Sequence, residues 1–130
     1  MADESERLRV LVVDDDEASR RLVEVALRGL PVDVTLCADP AQVVDLVDEL
    51  RPAVIVLDVM MPGLDGPMVV ERVREADSEA APKIVLWSAL DTTALQEKGR
   101  ATAADAVVLK VAGPAALVQE VGELLELWQS

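Results

Sequence analysis

Residues 53–66 read AVIVLDVMMPGLDG. Ala53 to Leu57 are apolar without a break and rich in β-branched side chains, the composition of a strand covered on both faces rather than one with a wet side. The run stops at Asp58, a Gly- and Pro-containing loop follows over Met61 to Pro67, and a helix is expected through Arg74. The same unit recurs on either side. Leu8 to Val13 (LRVLVV) halts at Asp14, Asp15 and Asp16, and helical spacing begins at Glu17. Ala18, Leu22, Val25 and Ala26 form the expected packing face of that helix, which Gly29 and Pro31 end. Val32 to Leu36 is a second strand. Asp39-Pro40-Ala41-Gln42 is a helix start, with Asp39 as N-cap, Pro40 at the first position and Gln42 placed to close a capping box. That helix runs to about Leu50, with Val43, Val44, Leu46, Val47 and Leu50 as core.

Lys83 to Trp87 reads as a fourth strand, Asp91 to about Ala101 as a helix weakened by Gly99, and Ala106 to Leu109 as a fifth strand. Gly113-Pro114 opens a last helix reaching Trp128, packed through Leu117, Val121, Leu124 and Leu125. No repeat, low-complexity tract or linker divides the chain, so one domain over 1–130, with a core of about 8–128, is expected. Five strands alternating with five helices predict an α/β three-layer sandwich, a parallel sheet wrapped on both sides by right-handed crossovers.

Composition narrows the chemistry. Of 130 residues, 52% are apolar, yet Phe and Tyr are absent and two Trp are the only aromatics, so the core is aliphatic. Twenty-five acids against twelve bases give a net charge of −13, which repels phosphate backbones and anionic lipid; no nucleic-acid or membrane partner is expected for this domain. The absence of His removes His-based acid–base catalysis, His metal ligation and a phosphohistidine on this chain. Cys37 is the one cysteine and has no internal partner, which fits a reducing cytoplasm; MADESERLRV is polar and acidic, unlike a secretory signal, and no apolar run in the sequence reaches membrane-spanning length.

In open α/β sheets ligands bind beyond the carboxyl ends of the strands, where the strand order reverses. The first polar residues there are Asp14 and Asp15 after strand one, Asp58 after strand three, Ser88 after strand four and Lys110 after strand five. Each alone is ordinary: a solvated turn, a turn-forming Asp, a capping hydroxyl, a surface lysine. Their joint placement on one sheet edge is what an ordinary reading leaves unexplained. Three carboxylates together need a positive partner, and an all-oxygen set suits a hard cation, Mg²⁺ best. Lysine and cation would form a pocket for a phosphoryl group, beside which a carboxylate can itself be the nucleophile and form an acyl phosphate.

LRVLVVDDDE, VIVLDVMMPGLDG, VLWSA and VLK, in that order, resemble the receiver domain of two-component response regulators, from about Arg9 to Leu127, here of a stand-alone single-domain type. The resemblance implies a flavodoxin-like fold of strand order 2-1-3-4-5, with Asp58 as phosphoacceptor for a histidine kinase or phosphotransfer protein. It further implies that Asp15, Asp58 and the backbone carbonyl of Met60 ligate Mg²⁺ directly, and that Asp14 acts mainly through metal-bound water. Ser88 and Lys110 would each hold a phosphoryl oxygen, and Met61-Pro62 and Asp65-Gly66 would shape the loop behind the acceptor. The output would pass to a downstream protein target, from a monomer or weak homodimer.

Three positions depart from the family. Val107 stands where an aromatic usually rotates on phosphorylation; only Trp87, on the neighbouring strand, could substitute. Val111 replaces the proline after the lysine, and a cis bond without proline costs about 2.5–4 kcal/mol, so a trans or strained peptide is expected. Met60 and Leu90 are apolar and cannot orient an attacking water, which predicts slow self-dephosphorylation. Two other readings compete: a receiver-like interaction module that no longer cycles phosphate, and an aspartyl phosphohydrolase, which would want a second Asp at position 60. No Walker loop or GxGxxG is present.

Overall fold

The computed structural model describes residues 7–58, 71–74, 82–89 and 104–129. The chain runs through β1 (Leu8–Val13), α1 (Glu17–Leu27), β2 (Val32–Cys37), a short 3₁₀ turn (Pro40–Gln42) into α2 (Val43–Leu50), then β3 (Val54–Asp58), β4 (Lys83–Ser88), β5 (Ala106–Leu109), a second 3₁₀ turn (Lys110–Ala112) and α3 (Pro114–Gln129). Residues 71–74 are helical, as expected for the segment ending at Arg74. The helix expected over 91–101 and the loop over 61–67 lie outside the described residues. The five strands form one sheet of order β2-β1-β3-β4-β5, every neighbouring pair parallel. β3 is central, between β1 and β4, and the order reverses between β1 and β3.

Side chains alternate across a strand, so each strand serves two cores. Val10, Val12, Val54, Val56, Val85, Trp87 and Val108 pack against Val23 and Leu27 of α1 and against Leu117, Val121, Leu124 and Leu125 of α3. Leu11, Val13, Ile55, Leu57, Ile84 and Leu86 pack on the other face against Val43 and Val47 of α2 and against Val73. β3 is buried along its whole length, which is why Ala53 to Leu57 shows no polar alternation.

Strand ends differ slightly from expectation: β3 and β4 extend to Asp58 and Ser88, so the terminal polar residues belong to the ladder itself. The packing face of α1 is a correction. Val23 and Leu27 are the buried pair, whereas Leu22 and Val25 are about half exposed. The helix carries two apolar stripes one residue apart. Asp16 caps Ser19 N–H at 3.0 Å and the Arg20 guanidinium donates to the Asp14 carbonyl at 2.8 Å, which points the Arg20–Val23–Leu27 stripe at the sheet. On α2, Val44, Leu46 and Leu50 are half-buried and the core contact rests on Val43 and Val47.

Candidate functional site

The carboxyl edge of the sheet gathers the polar residues that end the strands. Asp14, one residue beyond β1, is held from three directions. Its N–H donates to the Cys37 carbonyl at 3.1 Å, extending the β1–β2 ladder, its carbonyl accepts from Arg20, and its Oδ1 accepts from the Asp16 N–H at 3.0 Å. Asp58 closes β3, Ser88 closes β4, and Lys110 opens the turn after β5. Alternation carries Asp14, Asp58 and Lys110 onto the face shared by Val12, Val56 and Val108, and carries Ser88 onto the opposite one.

Lys110 draws the edge together. Its Nζ lies 3.1 Å from Asp58 Oδ2, 3.4 Å from Asp14 Oδ2 and 3.2 Å from Ser19 Oγ. Asp14 and Asp58 are 1% and 6% exposed and Ser88 is fully buried, whereas Asp15 faces solvent. Burial alone would lower the Lys110 pKa; the hydrogen bond and charge of Asp58, then those of Asp14, outweigh it and leave the pKa above its ordinary 10.5.

Carboxylate oxygens of Asp14, Asp15 and Asp58 lie within 4.8 Å of one another. Three acids against one ammonium leave an excess of negative charge on an all-oxygen set. Two members are buried and one is open to water, a donor set that fits a divalent hard cation keeping part of its hydration. Met60, whose carbonyl was expected to join the set, lies outside the described residues, as do Met61-Pro62, Asp65-Gly66 and Leu90.

The departures acquire geometry. There is no cis peptide among the described residues, so Lys110–Val111 is trans. The chain turns instead through the 3₁₀ segment, closed by the Gly113 N–H on the Lys110 carbonyl at 3.0 Å. Gly113 sits at φ +90°, where a side chain would be strained, and Pro114 then starts α3. Lys110 thus reaches Asp58 without a proline behind it. Val107 pairs with Leu86 on the α2 face, whereas Trp87 pairs with Val108 on the α1/α3 face, so Trp87 does not occupy the place of the missing aromatic.

Ser19 and Arg20 were not legible as site residues. Ser19 stands in the first turn of α1, where its hydroxyl meets Lys110, and Arg20 is tied to Asp14. Helix phase relative to the strand end would have been the only sequence signal, and two apolar stripes obscured it.

Residues 10–122 match the family model of the response regulator receiver domain. The DNA-binding response regulator MtrA of Mycolicibacterium smegmatis is 38% identical over 115 residues, covering 88% of this chain and 49% of MtrA. The transcriptional regulatory protein TrcR of Mycobacterium tuberculosis is 41% identical over 70 residues, covering 54% of this chain and 27% of TrcR. This chain spans about half the length of MtrA, and DNA binding is a property carried in that protein's name. Among solved structures, the receiver domain of the Francisella response regulator 1452 superposes with a TM-score of 0.80 at 26% identity, covering 92% of this chain and 98% of that one. The chemotaxis protein CheY4 of Vibrio cholerae shares the fold, with a TM-score of 0.81 at 24% identity over 91% of this chain and 98% of that one. No helix among the described residues is long and apolar enough to cross a membrane. With the family model matched across both edges of the sheet and the strand order it requires in place, this chain belongs to the receiver domains of two-component response regulators.

Proposed function

We propose that this domain accepts a phosphoryl group on Asp58 and passes the resulting change to a protein partner. The observation that carries the reading is the Lys110 ammonium, 3.1 Å from a buried Asp58 carboxylate that also shares a cluster with Asp14 and Asp15. In the transfer, an Asp58 carboxylate oxygen attacks phosphorus, the bond to the donor breaks, and the donor leaves with the electron pair of that bond. Lys110 then has a phosphoryl oxygen to neutralise, and the Ser88 hydroxyl donates to another. Asp15, Asp58 and the Met60 carbonyl would hold Mg²⁺, with Asp14 acting through its bound water; the ion supplies countercharge to the transferring oxygens.

The chain has no His, so the phosphohistidine belongs to the donor, a histidine kinase or phosphotransfer protein. The domain works in the cytoplasm, as a monomer or weak homodimer. With a net charge of −13 it does not itself contact nucleic acid, whatever output a longer protein attaches to it. The short Lys110–Asp58 contact favours this cycle over an interaction module that has abandoned phosphate, since such a module gains nothing from keeping a buried acceptor and its counter-ion.

Incubation with acetyl phosphate, with and without Mg²⁺, followed by intact-mass measurement tests the reading. One Mg²⁺-dependent phosphoryl adduct, absent from Asp58→Asn, is expected. An unmodified wild-type chain under the same conditions would overturn it.

A further inference from the structure

Among the described residues Trp87 is the largest buried side chain, 2% exposed, and its buried indole Nε1–H finds no hydrogen-bond partner among them. A buried donor left unmade keeps its desolvation cost without repayment, and native proteins seldom tolerate one without a reason. The chain has no Phe or Tyr and only one other Trp, yet it sets this ring in the fourth strand, immediately before Ser88.

The sheet register shows what the ring stands beside. Trp87 pairs with Asp58 on one side and with Val108 on the other. Adjacent strands lie about 4.8 Å apart. Trp87 lies in the α1/α3 core with Val56, Val85 and Val108. Asp58 is two residues beyond Val56, and Lys110 two beyond Val108, so alternation puts all three side chains on one face. The Trp87 side chain therefore leaves the sheet next to that of Asp58, in the row before Lys110. A smaller aliphatic side chain would leave room in which Asp58 could turn away from Lys110.

We propose that Trp87 is a positioning residue for the acceptor, its indole holding the Asp58 carboxylate against Lys110 at the expense of an unpaired N–H. This rests on Asp58 being the acceptor. Trp87 acts through Asp58 and touches neither donor nor cation, so it governs the rate of transfer and not the affinity for either. Loosening a reacting group by a fraction of an ångström to an ångström is enough to slow transfer by tenfold or more.

The test uses the full chain with Trp87→Leu and Trp87→Phe, phosphorylated by acetyl phosphate at a temperature where circular dichroism shows each variant folded. Trp87→Leu is expected to lower the rate at saturating acetyl phosphate by about tenfold or more, with the half-saturating concentrations of acetyl phosphate and Mg²⁺ unchanged within about twofold. Trp87→Phe keeps an aromatic wall and discards the orphan donor, and is expected to restore the rate to within about threefold of wild type. Separately, Trp128→Phe leaves Trp87 as the only tryptophan. Its emission should then change on phosphorylation and stay constant when Asp58→Asn is added. A folded Trp87→Leu chain phosphorylated at the wild-type rate overturns the proposal while leaving the acceptor reading intact. Should Trp87→Leu not fold, unchanged Trp87 emission in phosphorylated Trp128→Phe overturns it equally. Absence of any adduct on wild type removes the acceptor reading first.

Discussion

Replacing Asp15 by Asn should stabilise the protein when divalent cations are removed and destabilise it, relative to wild type, when Mg²⁺ is supplied. Asp15 presents its carboxylate within 4.8 Å of those of Asp14 and Asp58, and the Lys110 ammonium already engages both of the others. Lys110 offsets roughly one of the two repulsions that Asp15 meets. Two unit charges at that separation repel by about 0.9 kcal/mol in a water-like medium and about 1.7 kcal/mol at half that dielectric constant. Asp15 faces solvent, so the lower figure applies, and the Asn variant should gain roughly 1 kcal/mol, or about 4 °C in Tm for a domain of this size. With Mg²⁺ at a hundred times its Kd, wild type should gain about 2.7 kcal/mol by mass action, and the variant, lacking a ligand, much less, which reverses their order. Urea unfolding in EDTA and in Mg²⁺ reads both arms. An Asn variant that is less stable than wild type in EDTA, or that keeps the full Mg²⁺ gain, would refute the view of this cluster as mutually repelling metal ligands.

Other perturbations test other parts of the structure. Leu27→Ala should cost about 2–5 kcal/mol and Leu22→Ala no more than about 0.5 kcal/mol in urea unfolding, because only Leu27 faces the sheet. Lys110→Met should lower stability at neutral pH by roughly 2–3 kcal/mol, below the range for a fully buried pair because the Lys110 side chain is 26% exposed. Because the folded pKa of Lys110 lies above 10.5, its contribution is complete below that pH and is lost as pH rises through the folded value; the alkaline fall in the wild-type urea midpoint should shrink in the Met variant. Burial pushes the Cys37 thiol above its usual 9.0, against the pull of its hydrogen bond to the Asp39 carbonyl, so labelling by a thiol reagent at pH 8 should follow global unfolding and not precede it. With Met60 and Leu90 unable to orient water, the phosphoryl group should outlast donor removal by minutes or more; decay within seconds, followed by intact mass, would contradict this.

The strands were legible because a parallel sheet covered on both sides demands unbroken apolar runs, and Leu8–Val13 and Val54–Leu57 supply them. Their abrupt ends at Asp14, Asp58, Ser88 and Lys110 made the site edge legible too, since chain direction fixes which end of every parallel strand shares that edge. Helix phase was harder to read. In α1 the apolar residues support either of two stripes, and the choice is made by tertiary ties, Arg20 to Asp14 and Lys110 to Ser19, that no local pattern encodes. The same limit hid which face Trp87 takes: strand parity gives it only once register with Asp58 and Val108 is known.

Identifying the phosphorylated residue decides whether Asp58 is the acceptor. Borohydride reduction of the acetyl phosphate-treated protein converts an aspartyl phosphate to homoserine, and peptide mass mapping reports its position. Homoserine is expected at position 58 alone, and only when Mg²⁺ was present. Homoserine at position 14 or 15, or modification at 58 that is indifferent to Mg²⁺, would contradict it.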